Sequence, residues 1–314
     1  MNPVIMPAIL NDQATALREL VSDKKLSVNL RDRITGVKSI TVLSGKGGVG
    51  KSNVAVNLAL ALADEEFNVA LLDADLGLAN VDILFGVVPK YNLGHVMRGE
   101  KEFADIVFKV SERVSIIPGG VGLRDLADMD EQRQSWMINR LSFMEDDIDI
   151  LILDSGAGIY KNILSFALAS DLSLIITTPE PTAIRDSYSV LKSLLQAAKG
   201  ELKVGLVVNM VKDEKEALLV AERIISASEQ FLDFKIPYFG CILWDYGIRE
   251  SVIKRKPLLL WDAKSPSVAY FRKIAQTIYE AIYEGRSSWK NSRKDTFLLR
   301  LIKQAVNREK KQNG

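Results

Sequence analysis

The chain has 314 residues, of which 47% are hydrophobic and 26% charged, and carries a formal net charge of +1. This suits one large α/β domain with additions or two small domains, and the near-neutral charge gives no case for a nucleic-acid binder. A single cysteine, Cys241, rules out an intrachain disulfide framework and a Cys-rich zinc or iron–sulfur site within one chain.

The start, MNPVIMPAIL, has no basic n-region, and no run approaches the length of a membrane-spanning helix, so the expectation is a reduced, cytoplasmic protein. Residues 1–37 read as an extension. Asn11 or Asp12 can cap a short helix reaching about Ser22, with Leu17, Leu20 and Val21 on one face. At about three turns such a helix is marginal alone, and the polar stretch from Ser22 to Gly36 reads as a linker. From Lys38 onward, apolar runs alternate with amphipathic ones. Strands are expected at 39–44, 68–73, 114–117, 148–153, 172–177, 203–209 and 237–243. Helices are expected at 52–66, 131–144, 160–170, 182–198, 214–232, 246–254 and 265–284. Continuous apolar strands such as Ile148 to Leu153 and Leu172 to Thr177 suit parallel strands covered on both faces. The expected fold over 38–284 is therefore a doubly wound α/β domain, a mostly parallel sheet with helices on both faces.

Residues 285–314 read as a polar link and a final helix. Phe297, Leu298, Leu301, Ile302, Ala305 and Val306 make one apolar stripe. Nine Lys/Arg stand against Asp295 and Glu309 from Gly285 to Gly314, so the excess charge of the chain sits in its tail. A basic amphipathic helix of this kind reads as membrane-seeking, the alternative being a helix packed on the protein's own core.

The chemistry centres on Gly45-Lys46-Gly47-Gly48-Val49-Gly50-Lys51-Ser52, which fits G-x-x-x-x-G-K-[ST] between an expected strand and an expected helix. Glycines let the loop backbone turn its N–H groups onto phosphate oxygens, Lys51 reaches the β- and γ-phosphates, and Ser52 ligates Mg²⁺. Asp73 and Asp75 end the second strand, as magnesium-side or water-orienting carboxylates or simply as a polar strand end. Asp154 ends an apolar run in the Walker-B manner. A guanine-reading N-K-x-D is absent, since Met210 follows Asn209, so adenine is favoured, with a mere cap or turn as the other reading of Asn209.

The second lysine of the loop, Lys46, makes the motif resemble the deviant Walker A of the MinD/ParA ATPases, within the SIMIBI class of P-loop NTPases. Leu71 to Asp82 resembles the family's switch I, Asp154 to Ile159 its switch II, and Thr178 to Ser187 a block near its dimer interface. The run Asp12-Gln13-Ala14-Thr15-Ala16-Leu17-Arg18 resembles the activating helix of the FlhG/FleN (YlxH) flagellar-number regulators. The resemblance implies ATP and Mg²⁺ as cofactors and an ATP-bridged homodimer. Lys46 would reach the partner's phosphates in trans, Asp75 would orient the hydrolytic water, and Asp73, Asp154 and Ser52 would serve the metal. Asn209 and Asp245 would lie near adenine, with Glu180 and Asp186 near the interface. It also implies that Asp12, Gln13, Ala14, Leu17 and Arg18 stimulate an FlhF-type SRP GTPase, and that the tail binds the anionic inner face of the cytoplasmic membrane in the ATP state. A flagellar transcription activator or basal-body component is a further partner; no direct nucleic-acid contact is expected. The alternatives are a MinD-type division-site selector, a ParA-type partition ATPase, and a transcriptional anti-activator acting by protein binding.

Overall fold

The computed structural model describes residues 37–75, 80–120, 148–198, 202–284 and Arg300. The helix expected over 131–144, residues 76–79, the N-terminal residues Asp12, Gln13, Ala14, Leu17 and Arg18, and the tail residues Phe297, Leu298, Leu301, Ile302, Ala305 and Val306 lie outside the described residues.

Among the described residues eight strands form the sheet: β1 (Lys38–Ser44), β2 (Val69–Ala74), β3 (Phe108–Lys109), β4 (Val114–Pro118), β5 (Ile150–Ala157), β6 (Leu172–Thr177), β7 (Val204–Val211) and β8 (Tyr238–Leu243). Their order is β3-β4-β2-β5-β1-β6-β7-β8. All neighbours run parallel except the short antiparallel pair of β3 with β4. β1 lies between β5 and β6, so the chain winds outward in both directions from it, and the crevice at the carboxyl ends of these strands is where such sheets bind ligands. The doubly wound, mostly parallel architecture expected from the apolar runs is the observed one. The two-residue β3 is too short to leave an alternating pattern and was not among the expected strands.

The helices are α1 (Lys51–Asp64), α2 (Val81–Phe85), α3 (Leu93–Met97), α4 (Lys161–Ala169), α5 (Pro181–Ala197), α6 (Glu214–Leu232), α7 (Tyr246–Ile253), α8 (Leu258–Trp261) and α9 (Pro266–Tyr279). Because successive strand residues point to opposite faces, β1 sends Ile40 and Val42 into a core shared with α1 and α9, and Leu43 into a second core shared with α4, α5 and α6. β7 divides in the same way, Val207 on one side and Leu206 and Val208 on the other. Full burial of each such side chain contributes about 1.5–3 kcal/mol, which explains why the strand sequences are apolar without interruption. Helix starts follow their caps: Asp213 accepts from the Glu216 N–H at 2.7 Å, and Pro181 and Pro266 occupy the first turns of α5 and α9. α1 is buried on nearly every side, polar Asn57 included. The Asn57 amide donates to the Asn53 carbonyl, and its oxygen accepts from the Leu259 N–H, so one buried side chain fixes α8 against α1.

At the opposite end of the sheet from the phosphate loop, Asp171 accepts from both the N–H and the hydroxyl of Ser39. Arg300, the described residue of the basic tail, donates to the Ala169 carbonyl and to the Ser39 hydroxyl and pairs with Asp171 at 3.0 Å.

Candidate active site

β1 delivers the chain to Ser44, the loop occupies residues 45–50, and α1 begins at Lys51. Two glycines are required for distinct physical reasons. A Cβ on Gly45 would lie 2.3 Å from the Asp186 carbonyl, so the loop can pass the start of α5 only without a side chain. Gly50 has φ 87°, and a Cβ there would also meet the Asn209 amide at 2.5 Å. α1 has no side-chain cap and no acidic residue in its first turn. Its leading N–H groups and the positive end of its dipole are thereby left for an anion. Ser44 braces the loop from beneath by donating to the Lys46 carbonyl at 2.7 Å, and the Gly158 N–H donates to the Ser44 carbonyl, tying the loop after β5 to the loop after β1.

The two lysines of the loop face different surroundings. Lys51 is buried, and burial lowers its pKa against the opposing pull of Asp154 and Asp75. Lys46 is at the rim, half-exposed, and donates to the carboxylate of Glu180 and, at 3.2 Å, to the Thr182 hydroxyl. Thr182, which sequence reasoning did not single out, becomes part of the site through this contact.

The carboxylates differ as sharply. Asp73 accepts from the N–H groups of Asp75, Asn80 and Val81, so it ties the end of β2 to the start of α2. Burial lifts its pKa to about 6 although those three N–H groups oppose the shift. Asp154 is fully buried, and neither carboxylate oxygen has a hydrogen-bond partner among the described residues. Burial chiefly, with the nearby Asp73 charge, lifts its pKa to about 7, while the Ser52 hydroxyl and Lys51 pull the other way without sitting in hydrogen-bonding geometry. A buried carboxylate left without donors is the residue type that a hard divalent cation satisfies. Ser52 and Asp154 therefore fit Mg²⁺. Among the described residues no group of three or more His, Cys, Asp or Glu could hold a metal ion, so such a cation would need oxygens from a bound phosphate to complete its shell. Asp75 lies over the carboxyl end of β5, its carboxylate oxygen 3.5 Å from where a Gly156 Cβ would stand.

Asn209 and Asp245, read from sequence as base contacts, are both engaged in structural bonds. The Asn209 amide donates to the Val49 carbonyl at 2.8 Å and so clamps the phosphate loop to β7. Asp245 caps α7 through the Gly247 N–H and accepts from the Ser265 hydroxyl at 2.6 Å. Burial acts to raise its pKa, but those bonds outweigh it and hold the carboxyl low. Asp186 accepts from the guanidinium of Arg185 and supplies the backbone against which Gly45 packs. Met210, next to Asn209, has φ 58°, a left-handed conformation that a non-glycine residue rarely takes. It sits where the pairing of β7 with β8 slips register, and its methyl carbon would lie 3.3 Å from a Gly50 Cβ. Such bulges re-aim side chains beside functional sites; nothing in the sequence announces this one.

A glycine loop between β1 and α1, with Lys51 facing Asp154 at the carboxyl edge of a parallel sheet, defines a P-loop nucleotide-binding domain. The chain belongs to the CobQ/CobB/MinD/ParA nucleotide binding domain family, whose profile matches residues 40–258. It is 36% identical over 242 residues to the antiactivator FleN of Pseudomonas aeruginosa, covering 77% of this chain and 86% of FleN. To the flagellum site-determining protein YlxH of Helicobacter pylori it is 33% identical over 252 residues, 79% of this chain and 84% of YlxH. Among solved structures it is similar to the cell division ATPase MinD of Pyrococcus furiosus, with TM-score 0.61, 27% identity and coverage of 77% and 98% of the two chains. The family resemblance drawn from the loop and the two switch-like runs is thus matched by relatives from both the MinD and the flagellar branches.

Proposed function

We propose that this chain is an ATPase switch that dimerises around ATP and Mg²⁺ and controls flagellar number or placement, moving between the cytoplasm and the inner face of the cytoplasmic membrane. The observation that carries the reading is the division of labour between the two loop lysines. Lys51 is buried against Asp154 and Asp75 and serves its own site, whereas Lys46 stands at an exposed rim held by Glu180 and Thr182. A lysine in that position can meet a second subunit's phosphates and neutralise charge there, as an arginine finger does. Exposed Ile159 and Tyr160, directly after Gly158, suit a surface that a second copy covers. The FleN and YlxH similarities support the flagellar assignment over a division-site or partition role.

In this mechanism the loop N–H groups and Lys51 hold the β- and γ-phosphates, and Ser52 and Asp154 would hold a magnesium ion, whose chemistry when bound would be charge neutralisation at the phosphates. Asp73 ties the end of β2 to the start of α2, and Asp75 orients the attacking water. Asp186 sets the position of the loop against α5. Asn209 steadies Val49 beside the base, and Asp245 fixes the start of α7 nearby. Asp12, Gln13, Ala14, Leu17 and Arg18 would act on an FlhF-type SRP GTPase, and the apolar tail stripe from Phe297 to Val306 on anionic lipid. A second reading is favoured by FleN's description as an antiactivator: restraint of a flagellar transcription activator by direct binding, as an output of the same switch.

Asp75→Ala tests the switch: it is expected to bind ATP normally and to accumulate as a dimer on size exclusion, with hydrolysis down by about 10²-fold or more. Normal turnover by this variant would refute the water-orienting role. Truncation after Asp295 is expected to weaken ATP-dependent sedimentation with anionic vesicles by about tenfold or more. Glu180→Ala should leave ATP affinity unchanged, because the Lys46 pair is exposed, yet lower hydrolysis several-fold by releasing Lys46; unchanged hydrolysis would remove Glu180 from the site.

A further inference from the structure

The turn between α7 and α8 carries an unusual surface. It begins with Ile253, 67% exposed, continues through three consecutive exposed cations, Lys254, Arg255 and Lys256, and reaches Trp261, 42% exposed. Lys254 Nζ lies 5.8 Å from the centre of the Trp261 ring, so cation and indole share one patch. A Cβ on Gly86 would stand 2.8 Å from the Arg255 carbonyl, which places the loop after α2 beside this turn; two residues on, Val88 is 91% exposed. Exposed apolar residues thus stand on two neighbouring turns, within two residues of the Gly86–Arg255 approach on each side, beside the three cations. Glu250, half-buried, and exposed Asp262 are the nearby acids in sequence. Of α7 only Ser251 is fully buried, so the helix serves the core weakly. The nucleotide chemistry described above uses none of these side chains.

We infer that this turn is a second, core-borne contact with an anionic bilayer, in which Ile253, Trp261 and Val88 enter the interface and Lys254, Arg255 and Lys256 meet lipid phosphates. Projecting apolar tips suit a deformable lipid surface, whereas a peptide partner would need a groove. Indole rings favour the boundary between headgroup and acyl chain, and long cationic side chains reach from it to phosphate. A modest apolar tip alone binds weakly and needs the electrostatic partner that these three residues provide. The inference rests on the proposal that the protein visits a membrane, and gives that visit an orientation: with this turn down, the domain itself, and not only its tail, faces the lipid.

The full-length protein with Mg-ATP is sedimented with vesicles of phosphatidylglycerol in phosphatidylcholine. Lys254→Glu/Arg255→Glu/Lys256→Glu is expected to raise the lipid concentration for half-binding at least about tenfold, since each cation at an anionic surface contributes a factor of about five. Ile253→Ser/Trp261→Ser is expected to raise it about fivefold, with ATP affinity and far-ultraviolet circular dichroism unchanged. Leu301→Asp/Ile302→Asp tests the tail separately, and its residual binding should vanish when the three charge reversals are added. Trp261→Phe should keep binding but reduce quenching of tryptophan emission by brominated lipid. Wild-type affinity in the charge-reversed protein, undiminished quenching in Trp261→Phe, or complete loss of binding in the tail variant alone each overturns the core contact while leaving the tail reading in place. No vesicle binding by the wild-type protein removes both. Charge reversals that spare vesicle binding but abolish capture of an acidic protein overturn the lipid assignment and make the turn a protein site.

Discussion

Lys51→Ala is expected to lower ATP affinity by about a hundredfold or more, measured by titration calorimetry, and to leave no detectable hydrolysis. A charge-assisted contact contributes roughly 1.5–3 kcal/mol where solvent is excluded, and Lys51 can make several to the two terminal phosphates. Its burial adds to the effect. The side chain is already out of water in the unliganded protein, and its pKa is lowered by that burial, so the cost of placing it has been met on folding and not on binding. The variant also removes the cation that lowers the pKa of Asp154, so that carboxylate becomes harder to ionise and the metal side of the site weakens with the phosphate side. Lys46→Ala provides the contrast. Lys46 is half-exposed and bonded to Glu180 and Thr182, so its loss should leave monomer affinity near wild type and remove dimer-dependent hydrolysis. Equal loss of affinity in the two variants would refute the assignment of one lysine to each role.

Much of this was legible in the residues because the relevant physics is local. Continuous apolar runs announce strands covered on both faces, and the seven strands read from them recur within a few residues of their expected limits. The phosphate loop could be read because its glycines answer close approaches that only glycine survives, at Asp186 and at Asn209. What escaped depends on contacts distant in sequence or on elements too short to show a period. α2, α3 and α8 have four or five residues each, less than two turns, and leave no apolar stripe to detect. The hydrogen bond from the Asn209 amide to the Val49 carbonyl, 160 residues away, leaves no mark in the local sequence. Asp245 read as a loose nucleotide candidate, and its bonds to Gly247 and Ser265 are those of a helix cap and a turn brace. Asp73 and Asp154 looked alike as strand-end carboxylates. One has three backbone donors and the other has none, a difference set by how the chain returns after each strand.

Asp154→Asn should have opposite effects on the empty and the loaded protein. In the folded chain the Asp154 carboxyl titrates at about 7, above the ordinary value near 4 of an unfolded chain. The folded state therefore holds this proton more tightly, so the empty protein loses stability as pH rises from about 4 to about 7, and the full penalty stands above 7. For a carboxylate this deeply buried, that penalty is at most about 4 kcal/mol at pH 8. Asparagine keeps the shape and cannot ionise, so the nucleotide-free variant should melt higher than wild type at pH 8, with the gap narrowing at pH 5. Bound Mg²⁺ reverses the balance, because it favours the ionised form and must expel the proton below pH 7. Wild-type Mg²⁺ affinity in the presence of ATP should therefore rise between pH 6 and pH 8. In Asp154→Asn it should be about tenfold or more weaker at pH 8 and nearly independent of pH, with hydrolysis lost. Melting curves and Mg²⁺ titrations at the two pH values measure both effects. A variant no more stable than wild type at pH 8, or Mg²⁺ affinity with the same pH dependence in both proteins, would show that Asp154 is not the ionising ligand of the metal.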